Sequence, residues 1–167
     1  MFDYHPVVQK IKALLDEHHV QYKSFEHQEV RTSEEAAAVR PEYTLSQGAK
    51  ALIVRVKVKN TPKDQQKQFV QIVVPGDARF QPAKARKALN VKDIRFATPE
   101  EVAEITDGVL PGGVPPFGNL FGLPVYVEQT VLENEELIFN AGDRRVSIAV
   151  RSDDYARVVQ PTAVDVV

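Results

Sequence analysis

Residues 49–75 read AKALIVRVKVKNTPKDQQKQFVQIVVP, and the fold class turns on them. Two runs rich in branched side chains, ALIVRVKV and QFVQIVVP, flank a polar stretch. Branched residues lose rotamer freedom against a helical turn and pack well on a pleated surface, so both runs are expected to be strands. The intervening NTPKDQQKQ reads as a hairpin loop, which makes the pair antiparallel.

Toward the amino terminus, Pro6 stands near a first helical position. Val7, Ile11, Leu14 and Leu15 follow at helical spacing, with Lys10, Lys12, Asp16 and Glu17 facing away. VQYKSFEH is a short strand, and TSEEAAAV offers Thr32 and Glu35 as a capping box for a helix that must stop before Pro41. Toward the carboxy terminus, a helix runs from Pro82 to near Asn90, VKDIRFA is a strand, and Thr98, Pro99 and Glu101 mark another helix start. PVYVEQTV, ELIFNAG and RRVSIAV are strands, and SDDYARVV is a last helix capped by Ser152. Strands and helices mix without regular βαβ alternation. The expectation is an α+β fold, one domain over residues 1–167, in which a single curved, mixed and largely antiparallel, barrel-like sheet is flanked by helices.

With 167 residues, 43% of them hydrophobic and 26% charged, the chain can bury a core without staples. It has no cysteine, which removes disulfides, thiolate metal sites and a cysteine nucleophile. No basic-then-apolar leader is read at the front, and no apolar run approaches the roughly 20 residues a membrane helix needs, so a cytoplasmic protein without membrane contact is expected. A net charge of −2 gives no global attraction to nucleic acid, so a polyanion would have to be met by a local patch. The oligomeric state is left open.

The common catalytic signatures are absent: there is no G-x-S-x-G elbow, P-loop, dinucleotide fingerprint or H-E-x-x-H helix. Among the four histidines, His18 and His19 are adjacent on a helix and cannot face one point, so no metal site is expected. His27, after an aromatic-bearing strand, reads either as a surface residue or as a pocket wall. Glu100, Glu101, Glu133, Glu135 and Glu136 fit helix starts and solvated turns. Two features are left. Lys50 opens the first strand of the hairpin, either as a solvated end or as a cation completed by a ligand. In TDGVLPGGVPPFGNLFGLP, residues 106–124, nine of nineteen residues are glycine or proline, which excludes helix interior and central strand. The amides of Gly112, Gly113 and Gly118 could hold a carbonyl or ester oxygen, with Phe117 as an apolar wall, or the stretch could be a plain connector.

Four pieces in order, FEHQEVRTSEEAA, GAKALIVRV, GGVPPFG and IFNAGDRRVSIAVRSDDYARVV, cover nearly the whole chain. Together they resemble the YbaK/ProX and prolyl-tRNA synthetase insertion-domain family of aminoacyl-tRNA editing hydrolases. The resemblance implies a trans-acting deacylase that hydrolyses the ester of a mischarged tRNA without a cofactor. It implies that Lys50 is the active-site lysine and that Gly112, Gly113, Val114, Pro115 and Pro116 form the substrate loop. Phe117, Gly118, His27, Ala51, Asn140, Ala141, Gly142 and Ser147 would border the substrate. A ribose hydroxyl and a water would share the proton chemistry, in keeping with the lack of a side-chain nucleophile. Asn140, Ala51 and Ser147 depart from the cysteine-selective branch, which resembles serine, threonine and an acidic residue there. Alanyl-tRNA(Pro) or another small mischarged residue is therefore as fitting a substrate as cysteinyl-tRNA(Pro).

The tRNA phosphates would be met by Lys84, Arg86 and Lys87, or by Arg144 and Arg145, with prolyl-tRNA synthetase a candidate partner. The other readings kept open are a noncatalytic module of the same fold that binds tRNA, a nucleotide or a synthetase, and a hydrolase of small acyl esters.

Overall fold

The hairpin forms as expected: β2 (Ala49–Val58) pairs antiparallel with β3 (Lys67–Pro75), in register from Ala49 opposite Pro75 to Lys57 opposite Lys67. The computed structural model describes residues 3–167. Val70 to Pro75 is buried without interruption, because β3 is covered on both faces and lies between two neighbours. In front of the hairpin come α1 (Val7–Glu17), β1 (Lys23–Glu26) and α2 (Ser33–Val39). After it come α3 (Pro82–Leu89), β4 (Val91–Phe96), α4 (Pro99–Thr106), β5 (Val125–Glu128), β6 (Glu136–Asn140), β7 (Val146–Arg151), α5 (Ser152–Val159) and β8 (Thr162–Val164).

The fold is α+β, but the strands form two sheets where one was expected. Five strands run in the order β4-β2-β3-β5-β8, and three in the order β1-β7-β6. Among the described residues a single parallel bridge, from Gly48 to Ile138, joins them. The break comes after β5. A tight turn over Gln129–Glu133 redirects the chain, so that β6 pairs with β7 rather than with β5. Glu128 holds that turn: its carboxylate accepts the Thr130 amide at 2.9 Å, the Thr130 hydroxyl at 2.6 Å and the Val166 amide at 3.0 Å. Burial opposes ionisation of Glu128, but these hydrogen bonds outweigh it and hold its pKa below the ordinary glutamate value. The larger sheet is mixed, since β3–β5 and β5–β8 are parallel pairs.

The main core lies between the sheets, where Val73, Val127, Leu137, Phe139, Ile148 and Val150 meet Ile11 and Leu15 of α1 and Tyr155 of α5. The other face of the larger sheet packs Val54, Val56, Ile72 and Val74 against Ala85 of α3. Burying this apolar surface is the chief stabilising contribution to the fold.

Helix ends follow the local signals, with two exceptions. At α4 the Thr98 hydroxyl accepts the Glu101 amide at 3.1 Å and the Glu101 carboxylate accepts the Thr98 amide at 2.9 Å, a complete capping box. At α2 Thr32 caps Glu35 at 3.1 Å, but the Glu35 carboxylate reaches past it to the Arg31 amide at 2.8 Å. Ser152 does not cap α5. β7 runs straight into the helix, Ser152 is already helical, and its buried hydroxyl has no partner among the described residues.

Candidate active site

The glycine- and proline-rich loop is fastened carbonyl by carbonyl. Arg144 Nε donates to Pro111 O at 2.9 Å, Asn140 Nδ2 to Gly112 O at 2.6 Å, and the Gly142 amide to Gly113 O at 2.8 Å. Gln71 Nε2 donates to Pro115 O at 2.9 Å, the Tyr155 hydroxyl to Pro116 O at 2.7 Å, and the Gly118 amide to Gln71 Oε1 at 2.9 Å. A glutamine side chain in a strand buried on both faces must be fully paired, and the loop is what pairs it. Pro115 and Pro116 have no N–H, and Gly113 donates to Leu110 O at 2.9 Å. The amides of Gly112 and Val114 have no partner among the described residues.

Those two residues line a cavity of about 50 Å³ together with Lys50, Ala51, Asn140 and Arg40. Its volume matches about four water-sized groups, enough for a small side chain. Lys50 is exposed and makes no ion pair or hydrogen bond among the described residues, so its ammonium is open to a ligand. It is not desolvated, because it stands where the edge of β2 meets solvent.

The far side of the cavity is polar. Arg40, which ends α2, is 9% exposed, and its burial lowers its pKa to about 10, so it stays charged at neutral pH. No carboxylate pairs with it among the described residues. Nε donates to Ala36 O at 3.1 Å and Nη1 to Ser147 Oγ at 3.3 Å, leaving Nη2 without a partner. Ser147 also meets His27 Nε2 at 2.7 Å, while His27 Nδ1 meets Gln28 O at 2.8 Å. A carbonyl can only accept, so in the neutral ring Nδ1 carries the proton and Nε2 accepts from Ser147. Asn140 lies directly opposite Ser147 in the β6–β7 register, and its buried Oδ1 has no partner among the described residues. Arg40, with a free donor, and Asn140, with a buried free acceptor, line the same cavity.

The remaining sequence-expected residues lie elsewhere. Phe117 is fully buried in the core against Phe139 and Tyr155, and Gly118 gives its amide to Gln71, so neither borders the cavity. His27 and Ser147 sit behind Arg40. Ala141 is buried, and Gly142, at φ +99°, has no room for a Cβ because Val7 Cγ1 would lie at 1.7 Å. Among the basic residues, Arg144 and Arg145 are engaged internally, by Pro111 O and Glu29 and by Asp143 and the Tyr4 ring respectively. Lys84 is tied to Asp165 and to Val167 O. Arg86 and Lys87, in the last turn of α3, are exposed and make no ion pair among the described residues.

Three residues of the site have no counterpart in the sequence reading: Arg40, Gln71 and Tyr155. Gln71 could have been found as the one polar residue inside VQIVVP. Arg40 carries no local signal.

A mixed α+β scaffold holding a stiff loop, an open lysine and a small polar cavity is the architecture of a family. Residues 27–158 match the aminoacyl-tRNA editing domain, and the chain belongs to that family. The class is the aminoacyl-tRNA hydrolase expected from the sequence. The chain is similar to the multifunctional Ser/Thr-tRNA deacylase ProXp-y of Escherichia coli K12, with 28% identity over 94% of this chain and 90% of the relative. Two crystal structures share the fold. One is of a hypothetical protein (TM-score 0.80, 22% identity, 94% of this chain and 98% of that one). The other is of a proposed trans-editing enzyme for prolyl tRNA synthetase (TM-score 0.78, 23% identity, 98% of each chain).

Proposed function

We propose that the protein is a trans-acting deacylase that hydrolyses the ester linking a small non-cognate amino acid to tRNA, with tRNA(Pro) as the leading substrate. The observation that carries this reading is the convergence of Lys50 and the unpartnered Gly112 and Val114 amides on one small cavity. Water attacks the ester carbonyl, the developing oxyanion is received by the two amides, and the carbon–oxygen bond to the ribose breaks. The departing ribose oxygen takes up a proton, with the neighbouring ribose hydroxyl relaying it, so the products are the free amino acid and uncharged tRNA. Lys50 stabilises charge at the cavity mouth. Fixed donors at a developing oxyanion contribute several kcal/mol without a nucleophilic side chain.

The cavity's volume selects against bulk. Alanine, cysteine, serine and threonine all fit, and the free Arg40 donor favours the two that carry a hydroxyl, which can accept from it. The similarity to a Ser/Thr-tRNA deacylase supports the same choice. A deacylation panel on tRNA(Pro) charged with each of the four tests the proposal. Release from at least one is expected, and binding without release from any would replace this reading with a noncatalytic tRNA-binding module.

A further inference from the structure

Past Lys50 the cavity continues into a wider groove of about 600 Å³. Arg31, Thr32, Ser33, Lys50 and Gly76 border both spaces, so the lysine stands at their junction. The groove ends on two aromatic rings. Phe80, just before α3, and Phe96, the last residue of β4, lie 5.6 Å apart between centroids at an angle of 56°. Phe96 is 55% exposed, and with Leu110 it is one of two large apolar side chains left exposed among the described residues. Its place follows from the sheet. Phe96 pairs with Val54 in register, and Lys50, Leu52 and Val54 alternate onto one face of β2, so the ring and the lysine are on the same face. Arg31 and Arg79 flank the groove, and with Lys50 they outnumber its one acidic residue, Glu34. None of these three cations makes an ion pair among the described residues.

An exposed aromatic face next to unpaired cations is the chemistry that receives a nucleotide of a single strand, through base stacking and phosphate contact. Resting on the deacylase reading above, we propose that this groove binds the terminal adenosine of the tRNA acceptor end. The adenine stacks on Phe96 and Phe80, the ribose lies over Lys50, and the 5′-phosphate meets Arg31 and Arg79. The covalent layout of the substrate demands such a site. The ester and the base sit on opposite sides of the same ribose, so an aminoacyl group in the small cavity must place its base one sugar away, across the lysine.

The chain contains no tryptophan, so Phe96→Trp introduces a single tryptophan, excited selectively over the five tyrosines, at the proposed stacking face. Adenosine 5′-monophosphate should quench it saturably, and ribose 5-phosphate should not. In steady state, Phe96→Ala should raise KM for mischarged tRNA about tenfold, with Phe96→Tyr restoring most of the loss. On tRNA whose terminal base has been removed, the same substitution should leave KM within twofold of the unsubstituted protein, because the partner of the ring is gone.

Equal quenching by both phosphates would overturn the proposal. So would an equal KM penalty on intact and abasic tRNA, or a concentration-dependent dimer that Phe96→Ala abolishes while the nucleotide leaves the tryptophan unaffected. Quenching by the nucleotide in a protein that releases no amino acid from any tRNA would keep the base site and remove the deacylase reading.

Discussion

The loop at residues 111–118 and the groove at Phe80 and Phe96 border the same lysine and are built in opposite ways. Every loop carbonyl from Pro111 to Pro116 except that of Val114 is held by a named donor of the scaffold, and among the described residues only the amides of Gly112, Val114 and Phe117 are left open, the last of them in the core rather than at the cavity. The groove has no such fastening: its cations are unpaired and a ring faces solvent. Donors for a transition state act best when they need no reorganisation, whereas a surface that captures a flexible strand needs open stacking area and charge. On the proposed reading, rigidity is concentrated where a bond is to break, and open surface where the substrate is to be caught.

The sharpest test of the comparison is at the junction. Lys50→Ala should lower kcat/KM on mischarged tRNA about a hundredfold, or ~2.7 kcal/mol, while leaving Tm nearly unchanged, since the side chain has no partner to lose. A fall in both would mean that the lysine is structural. Next is the fastening itself. Gln71→Leu strands the Gly118 amide and the Pro115 carbonyl, and should cost about 2–3 kcal/mol in chemical denaturation along with a loss of turnover. Gly112, at φ +87°, has space around its Cβ position but the wrong backbone for an L-residue. Gly112→Ala should therefore reduce turnover about tenfold at a stability cost of about 1 kcal/mol. Arg40→Met should lower the ratio of kcat/KM for seryl- over alanyl-tRNA about fivefold, and an unchanged ratio would confine Arg40 to holding Ser147.

The smallest effect lies outside both regions. Glu128 has a folded pKa below its unfolded value of 4.5, so its contribution is complete above that value and is lost as the pH falls through the folded one. Glu128→Gln should cost about 1 kcal/mol at pH 7 and progressively less below pH 4.5, read from urea midpoints across pH.

Much of the scaffold was legible in the residues. Branched runs at 49–75 formed the hairpin, Thr98 with Glu101 built the expected cap, and the cluster of glycine and proline excluded regular structure around residue 112. The division into two sheets was not legible, because it depends on a buried glutamate turning the chain after β5. Nor was β8, three residues long, whose only partner is a parallel strand more than thirty residues earlier in the chain. Phe117 reads from the sequence as a pocket wall, and its packing against Phe139 and Tyr155 puts it in the core instead.

By itself, the sequence determined what acts over a few residues: strand and helix preference, caps, the stiffness of the loop and the absence of a nucleophilic signature. These depend on the rotamers and hydrogen-bonding groups of near neighbours. Only the tertiary structure decided which polar groups are left unsatisfied. Arg40 is a lone buried cation, Asn140 a free acceptor and Phe96 an open ring because of what distant strands place, or fail to place, beside them.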